Sequence, residues 1–475
     1  MAAWLPSFNT DEWLMILVTA ALGYVGLAAP LFGVRHARVA AMLATLLSII
    51  ASLHYYRVVG ERGTLILFNG NVVIDGFAAA LVFAASLVLL IDLIAAVSVV
   101  EKWDTGEAFY AISALNLLGV YAIATAGSLV LVYAAWILAA VSSYVIIALW
   151  KNEVAAEASA KYAVMGVLAT SLLIYALCIN TGVLGGIYLS TAVSPSKLIV
   201  LGAAILLPLA AIGFKMGVVP FHMWLPDVYG NARPFLVSVV ASQAKILAVA
   251  FLFKLLYAYS RVNPHLLLLL AGILAVATMS VGNLAAIAAD DARLVMAYSA
   301  IGQAGYIIAG FAALRPGLED VLVPGIFLQV LGYALAKTAA FIVLDAVYER
   351  VGWDTRSWET VKGLYRANKW AALALLLALL TLAGVPPTLG FWGKLYILYG
   401  VASASSILGL VFIANLAVAA YYYLKLSYLL FIPGSLEEIG TDWRIVAATI
   451  ASLLALVLGV FFWVFTGVYV AGAPP

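Results

Sequence analysis

Apolar residues in this chain are not arranged in the stripes that leave a polar face. They run in unbroken blocks, interrupted by short polar loops. A helix needs ~20 consecutive apolar residues to cross the hydrocarbon core of a bilayer. On that criterion the pattern predicts helices at about 13–31, 39–57, 76–98, 108–126, 128–149, 162–180, 198–229, 234–258, 265–289, 294–314, 323–348, 370–402, 406–432 and 444–470. The predicted fold class is an all-α integral membrane protein with about 14 transmembrane helices, a single polytopic domain over residues 1–475. An even number of crossings puts both termini on one side.

Two predicted segments are too long for a simple span. The stretches 198–229 and 370–402 contain prolines inside, Pro220 and Pro226 in one, Pro386 and Pro387 in the other. Proline removes a ladder hydrogen bond and clashes with the preceding turn. Irregular backbone at membrane depth is tolerated only where it is buried in protein or lines a wet cavity. The two segments are the seventh and the twelfth, five helices apart, which points to two inverted five-helix repeats with a transport site at the breaks. Residues 1–100 then hold helices 1–3, 101–258 the first repeat (helices 4–8), 259–432 the second (helices 9–13) and 433–475 helix 14. Ordinary proline kinks are the alternative reading.

Composition sharpens this picture. Hydrophobic residues make up 66% of the chain and charged ones 10%, against about 25% charged in soluble domains. The net charge of +2 argues against nucleic acid as a partner and leaves the lipid bilayer as the evident one. A single cysteine, Cys178, excludes an intrachain disulfide and a cluster ligated by this chain's cysteines alone. His36, His54, His222 and His265 show no metal spacing, and there is no glycine-rich phosphate loop. No cofactor or metal site is expected in the chain. The first apolar run follows Asp11 and Glu12 rather than a basic stretch, so it reads as a transmembrane helix and not as a cleaved leader.

Charge also sets an orientation. One set of predicted loops carries Arg35, Arg38, Lys102, Lys151, Lys161, Arg233, Arg293, Arg350, Arg356, Lys362, Arg366, Lys369 and Arg444; the other carries only Arg57, Arg62, Lys197, Arg261 and Arg315. By the positive-inside rule the first set is cytoplasmic. The expectation is a multi-pass protein of the cell membrane with both termini outside.

Six lysines remain inside apolar segments: Lys215, Lys245, Lys254, Lys337, Lys394 and Lys425. A charge at a helix centre costs about 2.5–3.5 kcal/mol on insertion scales. A buried ammonium can give up its proton near neutral pH, whereas a guanidinium stays charged. Lys254 and Lys425 lie near helix ends and are read as snorkelling to the headgroups. Lys215 and Lys394 sit beside the two breaks, and Lys245 and Lys337 lie mid-segment, so these four are the candidate proton relay. Asp92 and Asp345 are the carboxylates well inside helices. Lys337 and Asp345 are eight residues apart, about 12 Å along one helix, too far for a direct pair but suited to a water-bridged relay. Each acid has the alternative of an end-of-helix residue with no transport role.

Several long motifs resemble those of the antiporter-like membrane subunits of complex I (NADH-quinone oxidoreductase). "FKMGVVPFHMWLPDVYGNARP" (214–234) looks like their seventh-helix signature, "ARLVMAYSAIGQAGY" (292–306) their tenth-helix motif, and "LTLAGVPPTLGFWGKLY" (380–396) their broken twelfth helix. "GEAFYAISALNLLGVYAIATAGSLV" (106–130) resembles the entry to the fourth and fifth helices. "GEAFY" and "EASAKY" (157–162) are of the subunit N type, and the close of the chain soon after the last helix leaves no room for the lateral arm of subunit L. The resemblance extends to Mrp-type antiporter and membrane-bound hydrogenase subunits.

By position, the resemblance implies that Lys215, Lys245 and Lys394 are the seventh-, eighth- and twelfth-helix lysines. Lys337 with Tyr333 matches an eleventh-helix His-x-x-x-Lys pattern in which Tyr replaces His. His222 matches the His of a Pro-Phe-His motif. In one place the chain departs from the family, which carries a fifth-helix glutamate paired with the seventh-helix lysine. In "YAAWILAAVSSY" (133–144) that position is Ile137, and no acid lies in the helix. Asp92, the intramembrane carboxylate of this half, is the expected stand-in, reaching toward Lys215. The implied function is proton translocation along a mid-membrane lysine file, driven by redox chemistry in partner membrane and peripheral subunits that hold the flavin, iron–sulfur clusters and quinone. The alternatives are a cation/proton antiporter subunit of an Mrp-type or membrane-hydrogenase complex, with sodium as the other candidate ion, and a structural subunit that does not pump.

Overall fold

The computed structural model describes residues 8–189 and 197–467. Helices α1 (Thr10–Leu27) and α2 (Val34–Arg62) precede a short hairpin, β1 (Leu65–Leu67) and β2 (Val72–Ile74). Then come α3 (Gly76–Val99), α4 (Gly106–Ala124), α5 (Leu129–Ala148) and α6 (Glu153–Leu184). The middle of the chain holds α7 (Leu198–Met216), α8 (Trp224–Asn231), α9 (Pro234–Val262), α10 (Pro264–Ala288), α11 (Ala292–Ala313) and α12 (Glu319–Val351). A single turn, α13 (Leu364–Ala367), leads into α14 (Lys369–Ala383), α15 (Leu389–Ala404), α16 (Ser406–Leu429) and α17 (Trp443–Val460).

Thirteen spans among the described residues are long and apolar enough to cross a membrane. Each corresponds to one predicted segment. The remaining predicted segment, 370–402, is occupied by the two shorter helices α14 and α15, and the segment 198–229 by α7 and α8. The chain is an all-α membrane protein. Observed helices overrun the predicted ends where the first turn is polar. Thus α1 starts at Thr10 because Asn9 and Glu12 form a capping box, and α6 starts at Glu153 because Asn152 caps Ala155 N. The last helix ends at Val460 rather than 470; residues 468–470 and both termini lie outside the described residues. The hairpin was not expected, although Asn69-Gly70 between two apolar runs is its turn signal, with φ of +55° and +84°.

Contacts between loops sort them onto two faces in strict alternation. On the basic face Arg38 pairs with Glu101, Arg356 reaches Gly230 O and Asp291, Arg293 reaches Trp353 O and Thr355 O, and Trp443 N bonds Ser98. On the opposite face His54 meets Asp11, Val73 N bonds Thr125 O, and Arg261 meets Glu319. The central helices are α9 and α12, wholly buried within the chain over their apolar windows. The outer helices α1, α2, α6, α10 and α16 expose Leu17, Leu43, Leu168, Ile273 and Leu410. A helix apolar all round can be buried by protein or by lipid, and both solutions are used here.

Why α7 and α14 stop inside the bundle is written locally. Each ends in a glycine in the left-handed region, Gly217 (φ +75°) and Gly384 (φ +85°), whose N–H returns to the last turn. Val218-Val219-Pro220 and Val385-Pro386-Pro387 follow, and proline cannot continue the helix. A Cβ on Gly384 would lie 2.9 Å from Lys394 Cδ. The change Gly384→Ala is therefore expected to cost about 1–2 kcal/mol through the left-handed backbone alone and to push the Lys394 side chain aside. Thermal unfolding of the purified protein in detergent checks this, with unchanged stability as the contrary result.

Candidate functional site: a row of buried lysines

Helix ends leave carbonyls without intrahelical partners, and both interior ends are closed by lysine. Lys245 Nζ, from the middle of α9, donates to Met216 O at the end of α7. Lys394 Nζ, on the first turns of α15, donates to Leu382 O near the end of α14. The negative end of the helix dipole adds to the attraction for an ammonium.

Lys215, one residue before that α7 carbonyl, is 3% exposed. Its Nζ donates to Ser143 Oγ of α5 at 2.7 Å and to Tyr162 Oη of α6 at 2.9 Å. The rings of Tyr162 and Tyr144 lie 5.0 and 5.4 Å from it, within cation–π range. Tyr162 is stacked on Trp224, the first residue of α8, at 4.3 Å between centroids. Trp224 in turn donates to Phe214 O at 2.8 Å, so the break in the seventh segment supplies the indole that fixes Tyr162. Gly166 leaves room for the Tyr144 hydroxyl, which a Cβ there would strike.

Tyr333 lies between two of the lysines. Its ring is 5.5 Å from Lys245 Nζ and 5.8 Å from Lys337 Nζ, and its buried hydroxyl has no partner among the described residues. Lys337 donates to Met296 O and Ser299 Oγ of α11. Gln329, Tyr333 and Lys337 recur every four residues along α12 and so share one stripe. From Gln329 the contacts continue: Gln329 Nε2 donates to Gln303 Oε1 at 2.7 Å, and Gln303 Nε2 donates to Leu382 O at 2.9 Å, the carbonyl that Lys394 also binds. Lys215, Lys245, Lys337 and Lys394 are thus brought into one line, with Tyr333 and two glutamines between them.

Other predicted residues are placed elsewhere. Asp345 does not face Lys337. Arg233 grips it with two nitrogens at 2.9 and 3.1 Å, Arg444 adds a bond at 3.1 Å, and Phe235 N donates at 3.2 Å. Arg233 is surrounded by the rings of Trp103, Trp353 and Trp150. This corrects the water-bridged Lys337–Asp345 pair, because every strong acceptor position of that carboxylate is taken at the basic end of the bundle. His222 lies in the turn after α7, partly buried, its Nδ1 without a partner among the described residues. Lys254 donates to Val73 O at 3.0 Å and Lys425 lies 3.8 Å from the Trp358 ring centroid, so each has a partner within the protein. Asp92 is fully buried and accepts from Ser238 Oγ of α9 at 2.7 Å, and so joins the helix of Lys245 and not Lys215. Ile137 is 37% exposed on the outside of α5.

Ser143, Tyr162, Tyr144, Ser299, Gln303 and Gln329 were missed by the sequence reading. The three intramembrane glutamines, Gln243 included, carried the same signal as the lysines, a polar group in an apolar run. The hydroxyls carried none, since Ser and Tyr are common in such helices. On the basic face a polar cavity of about 270 Å³ is lined by Glu157, Ala158 and Lys161 of α6 together with Asp227, Arg293 and Arg356. Ala158 lies one turn of α6 before Tyr162, and Lys161 directly before it.

The family described as NADH:quinone oxidoreductase/Mrp antiporter, TM, matches residues 126–419. The chain is 32% identical over 415 residues to NADH-quinone oxidoreductase subunit N of Acidithiobacillus ferrooxidans, covering 84% of each. It is 32% identical over 380 residues to subunit N of Neisseria gonorrhoeae, covering 77% of each. Among solved structures it is similar to a chain of respiratory complex I from Thermus thermophilus, with 28% identity, a TM-score of 0.78, and 97% of this chain and 100% of that one covered. A chain of the Mrp complex from Dietzia sp. shares the fold at 19% identity, with a TM-score of 0.86 and 97% and 96% covered.

Removing the Asp345 carboxylate leaves Arg233 with only Glu349 among the described residues, at 3.7 Å, while Arg444 keeps Glu349 and Asp442. Taking one partner out of a buried pair costs about 3–5 kcal/mol when no other charge replaces it, and about 3 kcal/mol is expected here. The expected outcome for Asp345→Ala is a large loss of thermal stability and of membrane accumulation, with Asp345→Asn intermediate. If Asp345→Ala instead accumulates and melts normally, the clamp is not structural.

Proposed function

Because the chain belongs to the NADH:quinone oxidoreductase/Mrp antiporter membrane family, we propose that it is an antiporter-like subunit of a complex I-like NADH-quinone oxidoreductase and moves protons along Lys215, Lys245, Lys337 and Lys394. The observation that carries this reading is the set of four buried lysines, each held by a neutral partner rather than a carboxylate. An ammonium locked to a carboxylate would be reluctant to release its proton. One bonded to a carbonyl or hydroxyl can become a neutral amine without stranding an opposite charge.

Two ammonium charges facing the single Tyr333 ring repel each other. Lys245 and Lys337 therefore hold one charge between them more readily than two, and protonation on one side favours hand-over on the other. Gln329 and Gln303 extend the polar line to Lys394. Entry to Lys215 runs from the basic-face cavity past Tyr162 and Ser143, hydroxyls that can accept and pass a proton where the family resemblance implies a glutamate. The chain's residues move the proton; the electron transfer that drives it belongs to partner subunits, through conformational or electrostatic coupling. The division into two inverted five-helix repeats with transport sites at 217–223 and 384–388 is part of the same proposal.

Lys394→Met removes the charge at similar volume. In the assembled complex in reconstituted vesicles it is expected to lower proton translocation by roughly a hundredfold, the scale on which loss of one acid–base group is felt. Wild-type translocation with assembly intact would falsify the relay. For orientation, the basic face is cytoplasmic. In a Cys178→Ser background, cysteine at Ser357 should label with an impermeant thiol reagent from the cytoplasm and cysteine at Pro316 from outside. Labelling of both from one side contradicts it.

A further inference from the structure

Asp92 is the carboxylate that the lysine line leaves unexplained. It lies on α3, fully buried, with Oδ1 at 2.7 Å from Ser238 Oγ and Oδ2 without a partner among the described residues. Buried polar atoms are nearly always paired, and an exception asks for a reason. A second orphan lies on the same α3–α9 seam: Gln243 donates Nε2 to Ala85 O of α3 at 2.8 Å, while its buried Oε1 has no partner among the described residues. Two buried acceptors are thus open to water along one interface.

Ser238 supplies the second observation. Its Oγ is 2.7 Å from Asp92 Oδ1 and also 2.7 Å from Phe235 O. A hydroxyl has one proton and cannot donate to both. If it donates to Asp92, the carboxylate is the acceptor. If it donates to Phe235 O, the contact with Asp92 is satisfied by a carboxylic acid donating to Ser238 Oγ. The same heavy-atom positions therefore fit Asp92 with and without a proton, and the change of state needs only rotation of a hydroxyl.

The seam has a direction. Ser238, Ser242 and Lys245 follow one another along one face of α9, about 10 Å from first to last. Ser242 Oγ bonds only carbonyls of its own helix, Ser238 O and Val239 O. At the other end, Phe235 N is bonded to Asp345 in the basic-face charge cluster while Phe235 O faces Ser238. Asp92 thus stands between that face and Lys245.

We propose that Asp92 is a relay carboxylate on a separate entry path to Lys245, running between α3 and α9 past Ser238 and Ser242. Asp92 takes a proton from water arriving from the basic face and becomes a neutral acid. With its acid proton turned to water at Oδ2, it passes that proton through water beside Ser242 to the neutral amine of Lys245, so that the carboxylate and the ammonium form together. The inference rests on the lysine relay proposed above, and supplies Lys245 with an input that does not pass through Lys215.

The test uses the whole assembled complex in vesicles, measuring protons moved per NADH oxidised. Asp92→Asn keeps the volume and a hydrogen bond to Ser238 but cannot carry a proton, and is expected to reduce the ratio several-fold. Asp92→Glu is expected to recover much of it, which a purely structural role would not require. Infrared difference spectra of the wild type should contain a protonated-carboxylic-acid band that Asp92→Asn lacks. A normal ratio in Asp92→Asn, with Lys394→Met inactive beside it, overturns the Asp92 path and leaves the lysine relay standing. A normal ratio in Lys394→Met and Lys245→Met overturns the relay itself. Should Asp92→Asn fail to assemble, Ser242→Ala decides, because among the described residues that hydroxyl makes no hydrogen bond to another helix: a reduced ratio supports the path and a normal one overturns it.

Discussion

Two helix ends lie inside an apolar bundle, at Met216 and Leu382, where carbonyl oxygens point into a region without bulk water to satisfy them. Lys245 and Lys394 cap these carbonyls, and much of the rest follows from that requirement. Capping places an ammonium at the middle of the bundle, which forces the surroundings to supply neutral dipoles. It also fixes α9 against the end of α7, and α15 against α14. Breaking the helices and burying the lysines are one structural decision: each cost is offset by the other.

Around those caps the chain separates two kinds of buried charge. Carboxylates at the basic face are clamped by guanidinia: Asp345 by Arg233 and Arg444, and Asp291 by Arg293 and Arg356 with Tyr348 donating at 2.7 Å. Arginine keeps its charge and its planar fork suits a carboxylate, so these pairs hold α9, α11, α12 and α17 in register. Deeper in the bundle the cations are lysines and their partners are carbonyls, hydroxyls, glutamines and aromatic rings. The first arrangement resists any change of protonation state; the second permits it. Tyr333 belongs with the second group, because a ring attracts an ammonium on either side without binding its proton.

Asp92 falls outside both classes. It is buried like Asp345 but meets a serine instead of an arginine, and one of its oxygens is left open. That makes it the acid best suited to change state, on the helix pair that also leads to Lys245.

The amino-acid sequence by itself determined the spans, their alternation, the places where α7 and α14 end, and the four lysines buried at membrane depth. Each is a local matter: block length against bilayer thickness, glycine followed by proline, a charge in an apolar run. The hairpin at Asn69-Gly70 was equally local and was overlooked. What only the tertiary structure decided was partnership. Arg233 and Asp345 are 112 residues apart, and Asp92 and Ser238 are 146 apart. Lys215 finds Ser143 and Tyr162 where a carboxylate was expected, and Asp92 turns to the helix of Lys245. The cost of burying a polar group is a property of the residue and its neighbours in sequence, so it can be read there. The group that offsets the cost is set by which helix faces pack together, and no local pattern encodes that.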